Sequence, residues 1–207
     1  MNFNSILLIT FCLLQVLNCA KVKISEQSLK RALTKTLKSQ ISHQDSIKLN
    51  SSSDYTDLIF TYSPLTSDNI QLLFHDSTER LFIDFVNLNA TLTGKYSEEI
   101  LGYKIITEFT AKLNNFEWEQ EFDASKLYLG NRQFTPTIES SVGVSVDRFT
   151  QKTENIPEEL KDKIDLYASM RKTLITFQIA KLDYTEVKNQ LRKISQLILQ
   201  NLQSELK

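Results

Sequence analysis

The 207-residue chain has little of what punctuates or cross-links a fold: four glycines, three prolines, two cysteines and two histidines. So few glycines and prolines predict few tight turns and longer polar connections between strands. Both cysteines, Cys12 and Cys19, fall within residues 1–20. A chain cut after Ala20 keeps no thiol, which excludes a disulfide framework, a zinc–thiolate site and a cysteine nucleophile. An excess of one charge is missing too. Lys+Arg number 24 and Asp+Glu 25, for a net charge of −1, so the basic footprint of a nucleic-acid binder is absent. No Gly-x-Ser-x-Gly elbow occurs, since Gly143-Val144-Ser145 lacks the second glycine, and no glycine loop is built to cradle a phosphate. His43 stands alone in a polar stretch and His75 alone at the end of a strand-like run. These absences point away from an enzyme, and they assign no catalytic residue, metal ligand or cofactor.

The first charged side chain is Lys21, and an apolar run from Ile6 to Leu17 precedes it. That run suits the core of a secretory signal and is shorter than the roughly 20 residues a membrane span needs. Small residues at Cys19 and Ala20 then offer a cleavage point. The expectation is a signal peptide over 1–20, a single domain over 21–207, and a location outside the cell or in the secretory-pathway lumen. Two sequons, Asn50-Ser51-Ser52 and Asn89-Ala90-Thr91, would make Asn50 and Asn89 glycan acceptors there.

Periodicity gives the elements. Over 25–41, Leu29, Ala32, Leu33, Thr36, Leu37 and Ile41 recur at three- and four-residue steps, an amphipathic helix that Ser25 can cap. Residues 43–53 are polar and serine-rich, and read as loop. From Tyr55 to about Phe149 the period becomes two, with strands at 58–62, 70–74, 81–96, 103–113, 116–124 and 138–146. Within 81–96 the phase changes: Leu81, Ile83 and Phe85 share one parity, and Val86, Leu88, Ala90 and Leu92 the other. This switch of face predicts a bulge. Residues 151–163 read as charged loop with a short helix, LITFQIAKL (174–182) as a last strand, and 183 onward as a second amphipathic helix. That helix has a stripe of Tyr184, Val187, Leu191, Ile194, Ile198 and Leu202, and Asp183 and Glu186 stand at capping-box spacing.

The segment FEWEQEFDA (116–124) alternates almost without fault. Its carboxylates, Glu117, Glu119, Glu121 and Asp123, fall in a row on one face, where water can solvate them; a row of like charges disfavours a dry catalytic or metal site. The other face carries Phe116, Trp118 and Phe122, which with Tyr103, Ile105, Phe109 and Leu113 make a broad apolar surface. A close-packed α+β core and a curved sheet enclosing an apolar tunnel use the same side chains.

Three segments carry a resemblance: VKISEQSLKRALTKTL (22–37), FIDFVNLNATLTGKY (82–96) and VKNQLRKISQLILQNL (187–202). In that order they resemble the bactericidal/permeability-increasing protein and lipopolysaccharide-binding protein family, and more broadly the tubular lipid-binding superfamily. The resemblance implies an α+β fold in which long amphipathic helices are wrapped by a highly curved antiparallel β-sheet. It also implies an apolar groove for the acyl chains of a phospholipid, fatty acid or lipopolysaccharide-like amphiphile, with no chemistry done on them and a membrane surface as a compatible partner. The chain departs from the family in having room for one domain, no cysteine in 21–207 and no basic cluster, so lipid binding carries over and endotoxin recognition does not. The side chains expected to face such a groove are Leu33, Leu37, Ile105, Phe109, Phe116, Trp118 and Phe122. The rival expectation is a secreted interaction or structural protein of the same α+β class, with a solid core and no ligand.

Overall fold

The computed structural model describes residues 22–40, 46–127, 133–154 and 156–206. The expected signal peptide (1–20) and His43 lie outside the described residues. Within them the chain is α+β. Helix α1 (Glu26–Gln40) is followed by strands β1 (Ser46–Lys48), β2 (Tyr55–Tyr62), β3 (Ile70–His75), β4 (Arg80–Ile100), β5 (Tyr103–Asp123), β6 (Thr135–Glu139) and β7 (Gly143–Glu154), then by helices α2 (Lys161–Ile179) and α3 (Thr185–Glu205). All strand pairs are antiparallel and form one open sheet.

The spine of the sheet is the hairpin of β4 and β5, each 21 residues long. They are paired from Arg80↔Asp123 to Ile100↔Tyr103. Each long strand carries two short ones end to end on its free edge. β3 pairs the first part of β4 and β2 the second; β7 pairs the first part of β5 and β6 the last. The segments 103–113 and 116–124, expected as two strands, are one.

The phase change in β4 is a bulge, and β5 has a matching one directly across from it. Asn87 and Asn115 both adopt left-handed backbone, φ 52° and 53°; the register shifts between Phe85↔Trp118 and Leu88↔Phe116, and shifts back between Leu88↔Phe116 and Ala90↔Leu113. Asparagine tolerates this region better than most side chains. The bulges keep the two parity sets on one face. Leu81, Ile83 and Phe85 before the bulge and Leu88, Ala90 and Leu92 after it are all buried in one core. The extra residue absorbs the half-period, so a bent ribbon keeps a single apolar face.

Helices α1 and α3 fill that face. Ser25 Oγ accepts the N–H of Ser28 at 3.1 Å and caps α1. The expected stripe of α3 is buried from Tyr184 to Leu202. Its start is an Asx turn, with Asp183 Oδ1 accepting from Thr185 N–H at 2.9 Å, rather than the Asp183–Glu186 capping box. The helices meet through Asn201, whose Nδ2 donates to Thr36 Oγ1 at 2.9 Å, and through Glu205, which pairs with Lys35 and Arg31. Arg192 forks onto both carboxylate oxygens of Glu139 at 2.6 Å, tying α3 to β6.

Other expectations are corrected. The polar stretch 43–53 contains β1. Residues 138–146 divide between β6 and β7, and Ile138 is exposed. Strand β7 runs on to Glu154 through part of the stretch read as loop. Tyr103 points outward, where its hydroxyl donates to Glu159 Oε1 at 2.8 Å. The longest hairpin closes on the tightest turn, Leu101-Gly102, with φ 52° and 82° as a type I′ turn demands. The segment 174–182 is not a strand: residues 174–179 are the end of α2 and 180–182 the turn that follows it. Short runs such as LITF fit both periods, and the i, i+4 pair Ile175 and Ile179 settles it by burying together.

Gly94 stands where β4 passes under the core. A methyl there would lie 2.6 Å from Leu58 Cδ2 and 3.0 Å from Phe109 Cζ. Gly94→Ala should therefore destabilise the fold by about 1–3 kcal/mol; urea denaturation checks this, and an unchanged midpoint would contradict the packing.

Candidate functional site

The side chains expected to line a groove lie mostly inside the packed core. Phe109, Phe116, Trp118 and Phe122 are buried in one cluster, with Leu33 and Leu37 of α1 packed against it. Phe116 meets Phe60 at 5.1 Å and Tyr184 at 5.7 Å between ring centroids; Trp118 meets Phe85 at 5.7 Å, and Phe109 stacks on Phe149 at 5.9 Å. Ile105 belongs to a separate small cluster with Leu160 and Ile164. The structure thus gathers six of the seven residues and sets Ile105 apart. Of the candidate acceptors, Asn50 is exposed and its amide donates to Asp183 Oδ2 at 3.3 Å. Asn89 is exposed on β4.

The concave apolar surface is elsewhere, along α2. This helix is apolar on two sides. One side places Ile164, Ile175 and Ile179 in the interior. The other presents Tyr167, Met170, Leu174 and Phe177, spaced three, four and three residues apart and between 44% and 65% exposed. Between this stripe and the end of β4 lies a groove of about 730 Å³, lined also by Glu98, Ile100, Arg171 and Thr173. Its walls are apolar and its size is that of a small-molecule site. The spacing of the stripe was present in the sequence, but the strand reading of 174–182 broke the pattern in two.

Arg171 forms part of this groove and is 4% exposed. Its Nε donates to Glu98 Oε1, while its Nη1 is buried with no hydrogen-bond partner among the described residues. Nearby, burial and then the charges of Glu98 and Asp54 hold the Tyr96 phenol above its usual pKa, and Arg171 opposes them. Tyr55, its ring 5.2 Å from that of Tyr96, is pushed up chiefly by burial and keeps an unpartnered hydroxyl. Gln151 Nε2 of β7 donates to the Ala168 carbonyl at 3.2 Å and holds the middle of α2.

Beside the groove, the hairpin tip is apolar as well. Leu101 follows the groove residue Ile100 and is 68% exposed. A leucine at positive φ is strained, and here it is strained in water.

On the outer face of the sheet, Asp84 and Glu119 stand directly opposite each other. They border a depression of about 370 Å³ with Trp118, Ser140, Ser141 and Gly143. Burial first, then the charge of Glu119 and a hydrogen bond with it, raises Asp84 to about 6. Of the other carboxylates of the row, Glu121 pairs with Arg80 at 3.2 Å, Asp123 accepts from Ser125 N–H, and Glu117 is exposed. No group of His, Cys, Asp and Glu among the described residues could hold a metal ion. Comparison with protein-family models and with curated proteins gives no match.

The fold favours the protonated form of Asp84, so its contribution is full below the usual carboxylate range and is lost as pH rises through about 6. Asp84→Asn should raise the melting midpoint at pH 7.5 by about 2–4 °C and change it little at pH 4. Equal shifts at both pH values would refute the burial of this acid. Leu101→Asn should stabilise the hairpin by about 1 kcal/mol; a loss of stability in thermal melts would show that Leu101 packs rather than projects.

Proposed function

We propose that the protein binds lipid: it holds an acyl chain of a phospholipid, fatty acid or related amphiphile, for transport or recognition, and does no chemistry on it. The observation that carries this is the apolar groove along α2. Four large side chains are kept half in water on a helix that already has another face to bury. Acyl methylenes seated against them would leave water at about 0.8 kcal/mol each. Largely apolar concave sites and exposed apolar patches on single chains commonly serve binding.

The same reading takes the fold as a single-domain variant of the tubular lipid-binding type, similar to the bactericidal/permeability-increasing protein family. Two long helices against a bulged antiparallel sheet, and the three segments quoted above, support it. The site differs from the one the resemblance implied, because the interior is filled and the acyl chain would lie on the outer flank of α2. Leu101 at the hairpin tip would touch a membrane from which the chain is drawn. Residues 1–20 as a signal peptide would send the protein into the secretory pathway, with Asn50 and Asn89 open to glycosylation. No helix among the described residues is long and apolar enough to cross a membrane.

The continuous core around Phe116 and Trp118 favours a second reading, an interaction protein whose α2 face meets another protein. Native mass spectrometry of the chain made through a secretory pathway separates the two. A lipid carrier will show added mass that organic extraction removes. The double variant Leu174→Glu/Phe177→Glu, at exposed positions, should fold normally and retain at least about tenfold less lipid. A bare wild-type mass, unchanged after incubation with mixed lipids, would reject lipid binding and leave the protein-partner reading.

A further inference from the structure

The groove along α2 is apolar except at its floor, where Arg171 and Glu98 meet. A guanidinium buried in such a place is costly unless its donors are satisfied. This one is satisfied only in part: Nε has Glu98 and Nη1 has no partner. The two members of the pair differ in their access to water. The side chain of Arg171 is 3% exposed and that of Glu98 is 23% exposed. If a second anion competes for the guanidinium, Glu98 is the member that can turn out to solvent, and Arg171 stays.

Glu98 also indicates what the competitor looks like. It is a carboxylate on a short aliphatic stem, and it reaches the cation beside the apolar wall of Ile100. A carboxylate that replaces it exchanges one negative charge for another and leaves the buried charge balanced. A phosphate would bring additional charge to a single cation. The planar fork of arginine accepts a carboxylate through two N–H groups at once, and with Nη1 free the fork has a donor that Glu98 alone does not use.

We infer that the groove selects a single-chain carboxylate, a long-chain fatty acid, whose head displaces Glu98 from Arg171 while its chain lies along Tyr167, Met170, Leu174 and Phe177. This rests on the lipid-binding reading and names the ligand class within it. In that arrangement Glu98 is an internal stand-in for the ligand head. It keeps the buried cation neutralised when the groove is empty, and it sets a threshold that uncharged lipids do not overcome by headgroup contact.

The test uses the full chain, stripped of lipid, titrated with hexadecanoate and separately with 1-hexadecanol at pH 8, where a free carboxyl is ionised. The acid should bind at least about tenfold more tightly than the alcohol, as one charge-assisted contact predicts. Glu98→Gln removes the resident carboxylate; it should tighten hexadecanoate several-fold and leave hexadecanol unchanged. Arg171→Gln should bring the two probes to equal affinity, with thermal melting confirming that it folds. Equal affinities in the wild type, or weaker hexadecanoate binding by a folded Glu98→Gln, would overturn the role of Arg171 and leave lipid binding standing. Failure of both probes to bind the wild type would overturn the lipid reading itself.

Discussion

The structure depends on the pairing of β4 with β5. Two 21-residue strands run together from Arg80↔Asp123 to Ile100↔Tyr103, and every other strand except β1 hydrogen-bonds to one of them. In both strands the apolar side chains change parity partway along, so a regular ladder would turn part of them to the other face unless something corrected it. The opposed bulges at Asn87 and Asn115 do so. Because both strands gain their extra residue at the same level, the ladder resumes beyond it and one face stays apolar from Leu81 to Tyr96 and from Ile105 to Phe122. Had only one strand a bulge, the other would have turned half of its large side chains toward water. Helices α1 and α3 can lie on the sheet because its inner face is continuous.

Filling that face has a consequence for where a ligand can go. Phe60, Phe85, Phe116, Trp118 and Tyr184 already occupy the volume that a tunnel would need. Helix α2 is different. It attaches through Ile164, Ile175, Ile179 and a hydrogen bond from Gln151, and its second apolar side has nothing over it among the described residues. Apolar surface left in water costs free energy, as do the strained Leu101 and the half-satisfied Arg171. All three lie around the end of the β4–β5 hairpin. Strained backbone and buried unpartnered polar atoms also occur elsewhere in the molecule, but only here, among the described residues, do they adjoin an exposed apolar stripe on a helix.

The outer row of carboxylates illustrates how tertiary placement changes a simple pattern. Alternation puts Glu117, Glu119, Glu121 and Asp123 on one face, and they are on that face. Their environments then diverge through cross-strand partners in β4 and β6. Arg80 neutralises Glu121, a turn binds Asp123, and Asp84 lies against Glu119. The electrostatics belong to the register rather than to the motif.

Much of the fold was legible because it is local. The three- and four-residue steps of 25–41 and 183–202 favour helices with one apolar face, and alternation over 103–113 and again over 116–124 favours strands with a buried aromatic face. The change of parity in 81–96 required a bulge, since a period of two has no other way to keep large side chains on one side. What the sequence left open was set by contacts between distant residues. The segment 174–182 carries an apolar run too short to choose its own period, and became helix because Ile175 and Ile179 found the core together. The bulge in β4 could be read alone; β5 carries the same change of parity between Leu113 and Phe116, and that the two bulges meet is a property of pairing. Leu33, Leu37, Ile105, Phe109, Phe116, Trp118 and Phe122 were recognisable as inward-facing, since burial follows pattern. Whether such side chains enclose a space or fill it depends on how closely helices and sheet approach, and only the tertiary structure decided that they fill it, and that the open apolar surface lies instead between α2 and the end of β4.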